Sequence, residues 1–315
     1  MGSGPAPTPA TPPAALPGAG PSPGLRYMAY SAFWFSLMSL FVKLAGRRLP
    51  SMEIVFVRAA VTLLLSWMML RRARLSPWGG RHGLLAMRGI VGFLSLTCFY
   101  FGIVHLPLAE ATLIQYTNPV FAALLAAVLL HERLTARHAF GVAASLVGVV
   151  LVTRPAFLFG ALAAPLDARY AGIAFLGAVF SALVYVIVRM LRDTDHPLVV
   201  VFWFPLLTVP LALPFAVRGW LWPTPLEWLV LLGVGASTQV AQVYMTRGLQ
   251  LEPAGRATAV GYLQVAFAAT WGILFFGDRP TGWTIAGAAV IVASTIWIGA
   301  DRKRPSPAPG LATDD

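Results

Sequence analysis

Long apolar segments recur along the chain, separated by short polar breaks. They fall at 27–45, 52–70, 84–104, 109–130, 136–152, 170–188, 197–217, 226–249, 254–276 and 282–300. A helix needs ~20 apolar residues to cross a hydrocarbon core of ~30 Å, so the pattern predicts ten transmembrane helices. The breaks carry turn and charge residues, such as Arg47 to Pro50, Arg71 to Arg81 with Pro77, Asp193 to Pro197, and Trp222 to Pro225. Inside a bilayer each helix satisfies its own backbone, which excludes an open sheet at that depth. The predicted class is an all-α integral membrane protein.

Composition agrees with that class. Of 315 residues, 58% are apolar and only 11% are charged, against ~25% charged in soluble domains. Too few charges remain to coat a soluble sphere, so an ordinary soluble enzyme is excluded. The net charge of +11 does not read as a nucleic-acid footprint, because the basic residues sit singly or in short groups between apolar runs. They distribute instead by side. With the amino end inside, fifteen Arg and Lys fall on inner segments and seven on outer ones. This bias predicts a multi-pass plasma (inner) membrane protein with both termini cytoplasmic. Residues 1–24 are Pro/Ala-rich and uncharged and read as a disordered tail; residues 301–315 read as a second cytoplasmic tail. The one cysteine, Cys98, lies within an apolar run, so neither a disulfide framework nor a cysteine metal site is expected.

An internal match holds at one offset of 146 residues. Pro107 aligns with Pro253, Ala111-Thr112 with Ala257-Thr258, and Tyr116 with Tyr262. Phe121 to Ala123 align with Phe267 to Ala269, Gly141 with Gly287, and Lys43 with Arg189. Each copy holds five crossings, an odd number, so the second copy enters from the opposite side. Inverted repeats with a pseudo-two-fold axis in the membrane plane are a transporter architecture, with the substrate site near the midplane between the halves.

The stretch Leu106 to Val152 also resembles the end of an EamA-type repeat of the drug/metabolite transporter superfamily. The marks are Ala109-Glu110-Ala111, the mid-helix Pro119, Glu132 to Leu134, and the glycine-bearing helix that follows. Pro253 to Ala300 resembles it more weakly, with Val265 in place of the helix proline. The resemblance implies two inverted repeats, at 25–154 and 168–300, around a central cavity, and a carrier of amino acids, nucleoside- or vitamin-like compounds, or amphiphiles. The other reading is a non-transporting membrane protein: an intramembrane enzyme, a channel or a scaffold.

Polar residues inside spans mark the candidate site, because they are costly unless they face protein or water. Thr112, Gln115, Tyr116 and Pro119 share one helical face, and Asn118-Pro119 breaks a backbone hydrogen bond there. Gln239, Gln242 and Thr246 recur at helical spacing in the eighth span, and Tyr262 and Gln264 are the mates of Tyr116 and Asn118. Such amides and hydroxyls suit a small organic solute; individually, each is equally readable as interhelical glue. Trp34 is a candidate aromatic contact against a lipid-facing alternative. Arg58, the deepest charge, either binds an anionic group or pairs near Glu53, whereas Lys43 and Arg88 lie nearer span ends and can snorkel. Glu110 is the one candidate for ion coupling, against helix-entry capping. No phosphate loop, zinc signature or nucleophile elbow is present, so no metal, cofactor or catalytic residue is expected. The expected partners are a small-molecule substrate and the bilayer, not nucleic acid. Small-residue stripes at Gly141, Ser145 and Gly148, and at Gly282, Ala286, Ala289 and Ala293, read as packing within a monomer, with a homodimer as the alternative.

Overall fold

A computed structural model describes residues 22–106, 108–132, 135–153, 158, 167–277 and 281–299. The two expected tails fall almost wholly outside them. Twelve helices are described: α1 (Pro23–Ala45), α2 (Ser51–Arg72), α3 (His82–His105), α4 (Leu108–Gln115), α5 (Asn118–Leu129), α6 (Ala136–Thr153), α7 (Ala168–Met190), α8 (Pro197–Val217), α9 (Pro225–Leu251), α10 (Ala254–Val260), α11 (Leu263–Phe276) and α12 (Gly282–Gly299). The short pairs α4–α5 and α10–α11 are each one crossing broken in the middle. Among the described residues nine segments are long and apolar enough to span, and the apolar helix Gly282–Ile298 makes the tenth. The outward surface carries large apolar side chains such as Leu64, Val128, Leu229 and Ile296, as lipid contact requires.

Both ends of the bundle lie on one face. The Ser22 hydroxyl donates to Glu252 (2.5 Å), and Arg256 bridges Glu252 (3.0 Å) and the Ile298 carbonyl (3.4 Å). The α2–α3 and α7–α8 loops share this termini face, where the Gly80 amide donates to Asp195 (2.7 Å) and Gln250 donates to the Asp195 carbonyl (3.2 Å). On the opposite face, Arg48 in the α1–α2 loop forms a bidentate pair with Glu227 (2.8 and 2.6 Å) and donates to the Trp222 carbonyl.

The two five-pass units interleave. The most extensive packing is α1 on α9 and α3 on α7, and these two interfaces are each other's mates under the 146-residue offset. The self-mated pairs α2–α8 and α6–α12 straddle the axis. At α6–α12 the stripe of Gly141, Ser145 and Gly148 is buried: Gly148 lies against Gly287 and Ile291, and Ser145 bonds Ser294 (2.7 Å). The first stripe therefore serves a contact within the monomer, whereas the second expectation is corrected: Gly282, Ala286, Ala289 and Ala293 are exposed, because α12 turns its Gly287, Ile291, Ser294 and Ile298 face to α6 instead.

Symmetry fails in one informative respect. On the termini face α10 packs against α5, but among the described residues the mate pair, α11 and α4, makes no comparable contact. Ala122 is fully buried, whereas its mate Ala268 is exposed. The largest apolar cluster joins Leu25, Leu70, Leu85, Leu191, Leu198 and Leu249, all at the termini-face ends of their helices. Among the described residues, α5 and α10 are thus closed against each other on the termini face, and α4 and α11 are less closely packed on the other.

Candidate functional site

The breaks in the fourth and ninth crossings set the site. Pro119 has no N–H to offer the Gln115 carbonyl, so α4 ends at Gln115 and the Thr117 hydroxyl takes the Ile114 carbonyl (2.6 Å). The second repeat reaches the same elbow without proline. Gly261, Tyr262, Gln264 and Val265 each donate to the carbonyl three residues back, a tight 3₁₀-type turn entered at Gly261, the mate of Gln115. The ninth span was expected as one continuous helix; the turn at Gly261-Tyr262 divides it.

The elbows face each other across the axis. The Tyr262 hydroxyl donates to the Tyr116 carbonyl (2.8 Å), with ring centroids 6.0 Å apart. Beside them lies a cavity of two lobes, each about 180 Å³, which share Phe35, Phe99, Gln115, Tyr185 and Met245 as common wall. Together they reach the lower end of the ~300–1,000 Å³ usual for small-molecule sites. The first lobe holds Tyr116, Asn118, Tyr262 and Gln264; the second holds Arg58, Arg88, Ser95, Ser181 and Gln242. The walls are built from repeat mates: Phe99 with Met245, Asn118 with Gln264, Phe35 with Ser181, and Arg58 with Phe204. The cavity therefore sits on the pseudo-two-fold axis.

Hydrogen bonds hold its polar side chains in place. Gln115 Nε2 donates to Ser181 Oγ (2.8 Å), which bonds Ser95 (2.6 Å), and Ser95 donates to the Gly177 carbonyl (3.0 Å). Gln115 Oε1 is buried without a protein partner. Arg88 is 1% exposed; its Nη2 donates to Gln242 Oε1 (3.1 Å), its guanidinium carbon lies 4.5 Å from the Phe204 ring centroid, and its Nε is unpartnered.

The sequence-predicted residues divide. Gln115, Tyr116, Asn118, Gln242, Tyr262, Gln264 and Arg58 line the cavity. Gln239 does not: it accepts from Ser66 (3.0 Å) and joins α9 to α2. Thr112 lines neither lobe, although its mate Thr258 does. Trp34 stands edge-on to Phe33, outside both lobes. The side chain of Glu110 lies outside the described residues. Two expectations are corrected. Arg58 does not pair near Glu53: its Nη1 approaches Met38 Sδ (4.0 Å), while Glu53 accepts the Leu221 amide (2.9 Å) on the opposite face. Arg88 does not snorkel; it turns into the bundle and lines the second lobe. With Ser181 and Tyr185 it is a wall residue that sequence reasoning missed, and its signal was Gly92 one turn later. A Cβ there would stand 2.9 Å from Arg88 Nη1 and from the Phe204 ring.

The termini face is sealed beneath the first lobe by a buried ion pair. Arg189 Nε donates to Glu132 Oε1 (2.6 Å) and its Nη1 to the Gln250 carbonyl (2.9 Å), while Glu132 Oε2 accepts the Ala254 amide (3.0 Å). This knot ties the ends of α5, α7 and α9 to the start of α10.

Known proteins share this plan. The pseudopaline exporter CntI of Pseudomonas aeruginosa is 31% identical over 281 residues, covering 89% of this chain and 97% of its own. Human solute carrier family 35 member G1 is 32% identical over 288 residues, covering 88% and 78%. A solved crystal structure superposes with a TM-score of 0.77 at 18% identity over 88% of this chain and 97% of that one, a likeness of fold. The EamA-like transporter family matches the two repeats separately, at 22–154 and 169–300. Two inverted five-pass repeats, each matched on its own, around one axial cavity place the chain in the EamA-like transporter family, as a membrane carrier of small metabolites.

Proposed function

We propose that the protein carries a small organic solute by opening the axial cavity alternately to either face, with both termini in the cytoplasm. The observation that carries this reading is the mismatch between repeats. The α5–α10 contact is formed on the termini face, and among the described residues its mate, α4–α11, is not comparably formed on the other, so exchanging the two arrangements between repeats tightens the looser face and opens the sealed one. The exchange leaves the cavity in place, because its walls are repeat mates. The inner side follows from the excess of Arg and Lys on the termini face. Gln115, Tyr116, Asn118, Gln242, Tyr262 and Gln264 contact the solute in this reading. An intramembrane enzyme would need acid and base groups at one depth; among the described residues the cavity walls carry neither carboxylate nor imidazole.

A thermal-shift screen of the purified protein against amino acids, nucleosides, vitamins and organic acids tests the assignment. Alanine substitution of Gln115, Tyr116 and Gln242 is expected to weaken any stabilising solute without unfolding the protein. Unchanged affinity in all three variants would refute the cavity as the binding site.

A further inference from the structure

Arg58 and Arg88 are the only charged side chains on the cavity walls among the described residues. Both are buried, at 6% and 1% exposure, and neither forms an ion pair with a described residue. The protein treats its other deep arginines differently. Arg189 is comparably buried, but it meets Glu132 and two backbone carbonyls, and Arg256 meets Glu252. Paired in that way, a buried guanidinium has its charge answered by the protein. Among the described residues, the Met38 sulfur at 4.0 Å is the one acceptor near Arg58, and Arg88 has one neutral amide acceptor and an unpartnered Nε; both otherwise face the Phe204 ring.

The repeat sharpens the contrast. The mate of Arg58 is Phe204 and that of Arg88 is Val234, so this architecture packs without charge at both positions. The two guanidinium carbons lie 6.0 and 4.5 Å from the Phe204 ring centroid, hence no further apart than those two distances combined. Gly92 leaves room for this arrangement, since any Cβ there would crowd both Arg88 and the ring. Two cations beside one ring at the wall of a solute cavity, with no carboxylate paired to them among the described residues, call for an anion supplied from outside.

We propose that Arg58 and Arg88 form a two-guanidinium seat for an oxyanion, so that the transported solute is an organic anion. Its carboxylate or phosphoryl end docks in the second lobe, and its uncharged polar end reaches the elbow lobe at Tyr116, Asn118, Tyr262 and Gln264. Guanidinium groups bind either oxyanion through charge-assisted, often bidentate bonds. The same pair repels cations from the site. This inference rests on the cavity being the transport site.

The test is thermal melting of the purified full chain with glutarate, its neutral counterpart glutaramide, and glycerol 3-phosphate, at matched ionic strength in chloride. Glutarate or glycerol 3-phosphate should raise the midpoint saturably and glutaramide should not. Whichever of the two binds more tightly identifies the headgroup. Apparent affinity should fall about tenfold or more in Arg58→Gln and in Arg88→Gln, and recover partly in Arg88→Lys. Gly92→Ala, which displaces the guanidinium while keeping its charge, should weaken oxyanion binding too, and serves if either glutamine variant does not fold. Equal protection by glutarate and glutaramide, protection by neither oxyanion, or full protection in both glutamine variants would overturn the seat. Proteoliposome exchange separates this proposal from the one beneath it. If a neutral solute exchanges saturably, and equally well in both glutamine variants, transport stands and the seat falls. If oxyanions bind as expected but no solute exchanges, the seat stands and the transport reading falls.

Discussion

Replacing Glu132 with glutamine should unlatch the termini face. The pair it forms with Arg189 is short (2.6 Å) and largely shielded, with side chains 16% and 7% exposed. The second carboxylate oxygen holds the first amide of α10. Removing one partner of such a pair leaves a buried guanidinium unanswered, at a cost of about 3–5 kcal/mol. These contacts join α5 and α7 to α9 and α10, so opening this face by parting those helices would break them. The loss therefore falls on the closed state, and the equilibrium moves toward the state open on the termini side by roughly two to three and a half decades. The readout is a cysteine at Ser31, on the wall of the elbow lobe, in a Cys98→Ser background. A membrane-impermeant maleimide applied from the termini side should label it up to about a hundredfold faster in Glu132→Gln than in the parent, and more slowly from the other side. Equal rates from the termini side in both proteins would refute the latch.

Three further outcomes follow from particular contacts. Tyr262→Phe strands the Tyr116 carbonyl between the elbows and should cost about 1–3 kcal/mol, read as a lowered melting midpoint together with weaker solute binding. Gly287→Val drives a side chain toward the Gly148 carbonyl, which a Cβ alone would meet at 2.6 Å; overpacking of this kind costs about 1–3 kcal/mol or more, visible as loss of the folded peak on size exclusion. His196 caps α8 by accepting the Leu198 amide (3.2 Å), and burial, together with Arg247, holds its pKa below the ordinary 6.5. The folded state thus favours the neutral ring, so its contribution is complete above about pH 6.5 and declines as pH falls below it. Melting midpoints between pH 7.5 and 5.5 should fall less steeply in His196→Asn.

The crossings and the repeat were legible in the sequence because a bilayer imposes one length on every span, and because a duplicated chain keeps its register. The first elbow was legible in Asn118-Pro119, since proline removes a definite hydrogen bond. The second was hidden: Val265 stands where the proline does, and Gly261 is one of 29 glycines with nothing local to single it out. Arg58 was expected near Glu53 because the two are five residues apart. Five residues turn a helix by about 140° from alignment, so one faces the cavity and the other the α8–α9 loop. Gln239 and Gln242 are about 60° apart on α9, close enough to read as one face, yet α2 claims the first and the cavity the second. Arg88 was misread because a charge less than two turns into a span can reach either water or the bundle interior. The packing of Phe204 across the axis decides between them, and that is a long-range fact.

In the transport cycle proposed above, one cavity serves both faces in turn. Counterflow in proteoliposomes tests it most directly, using a solute that stabilises the purified protein. Uptake of labelled solute is expected to saturate, to be accelerated by unlabelled solute inside and to be lost in Tyr262→Ala, with no unitary currents. Uptake that rises linearly with concentration and is indifferent to internal solute would contradict it.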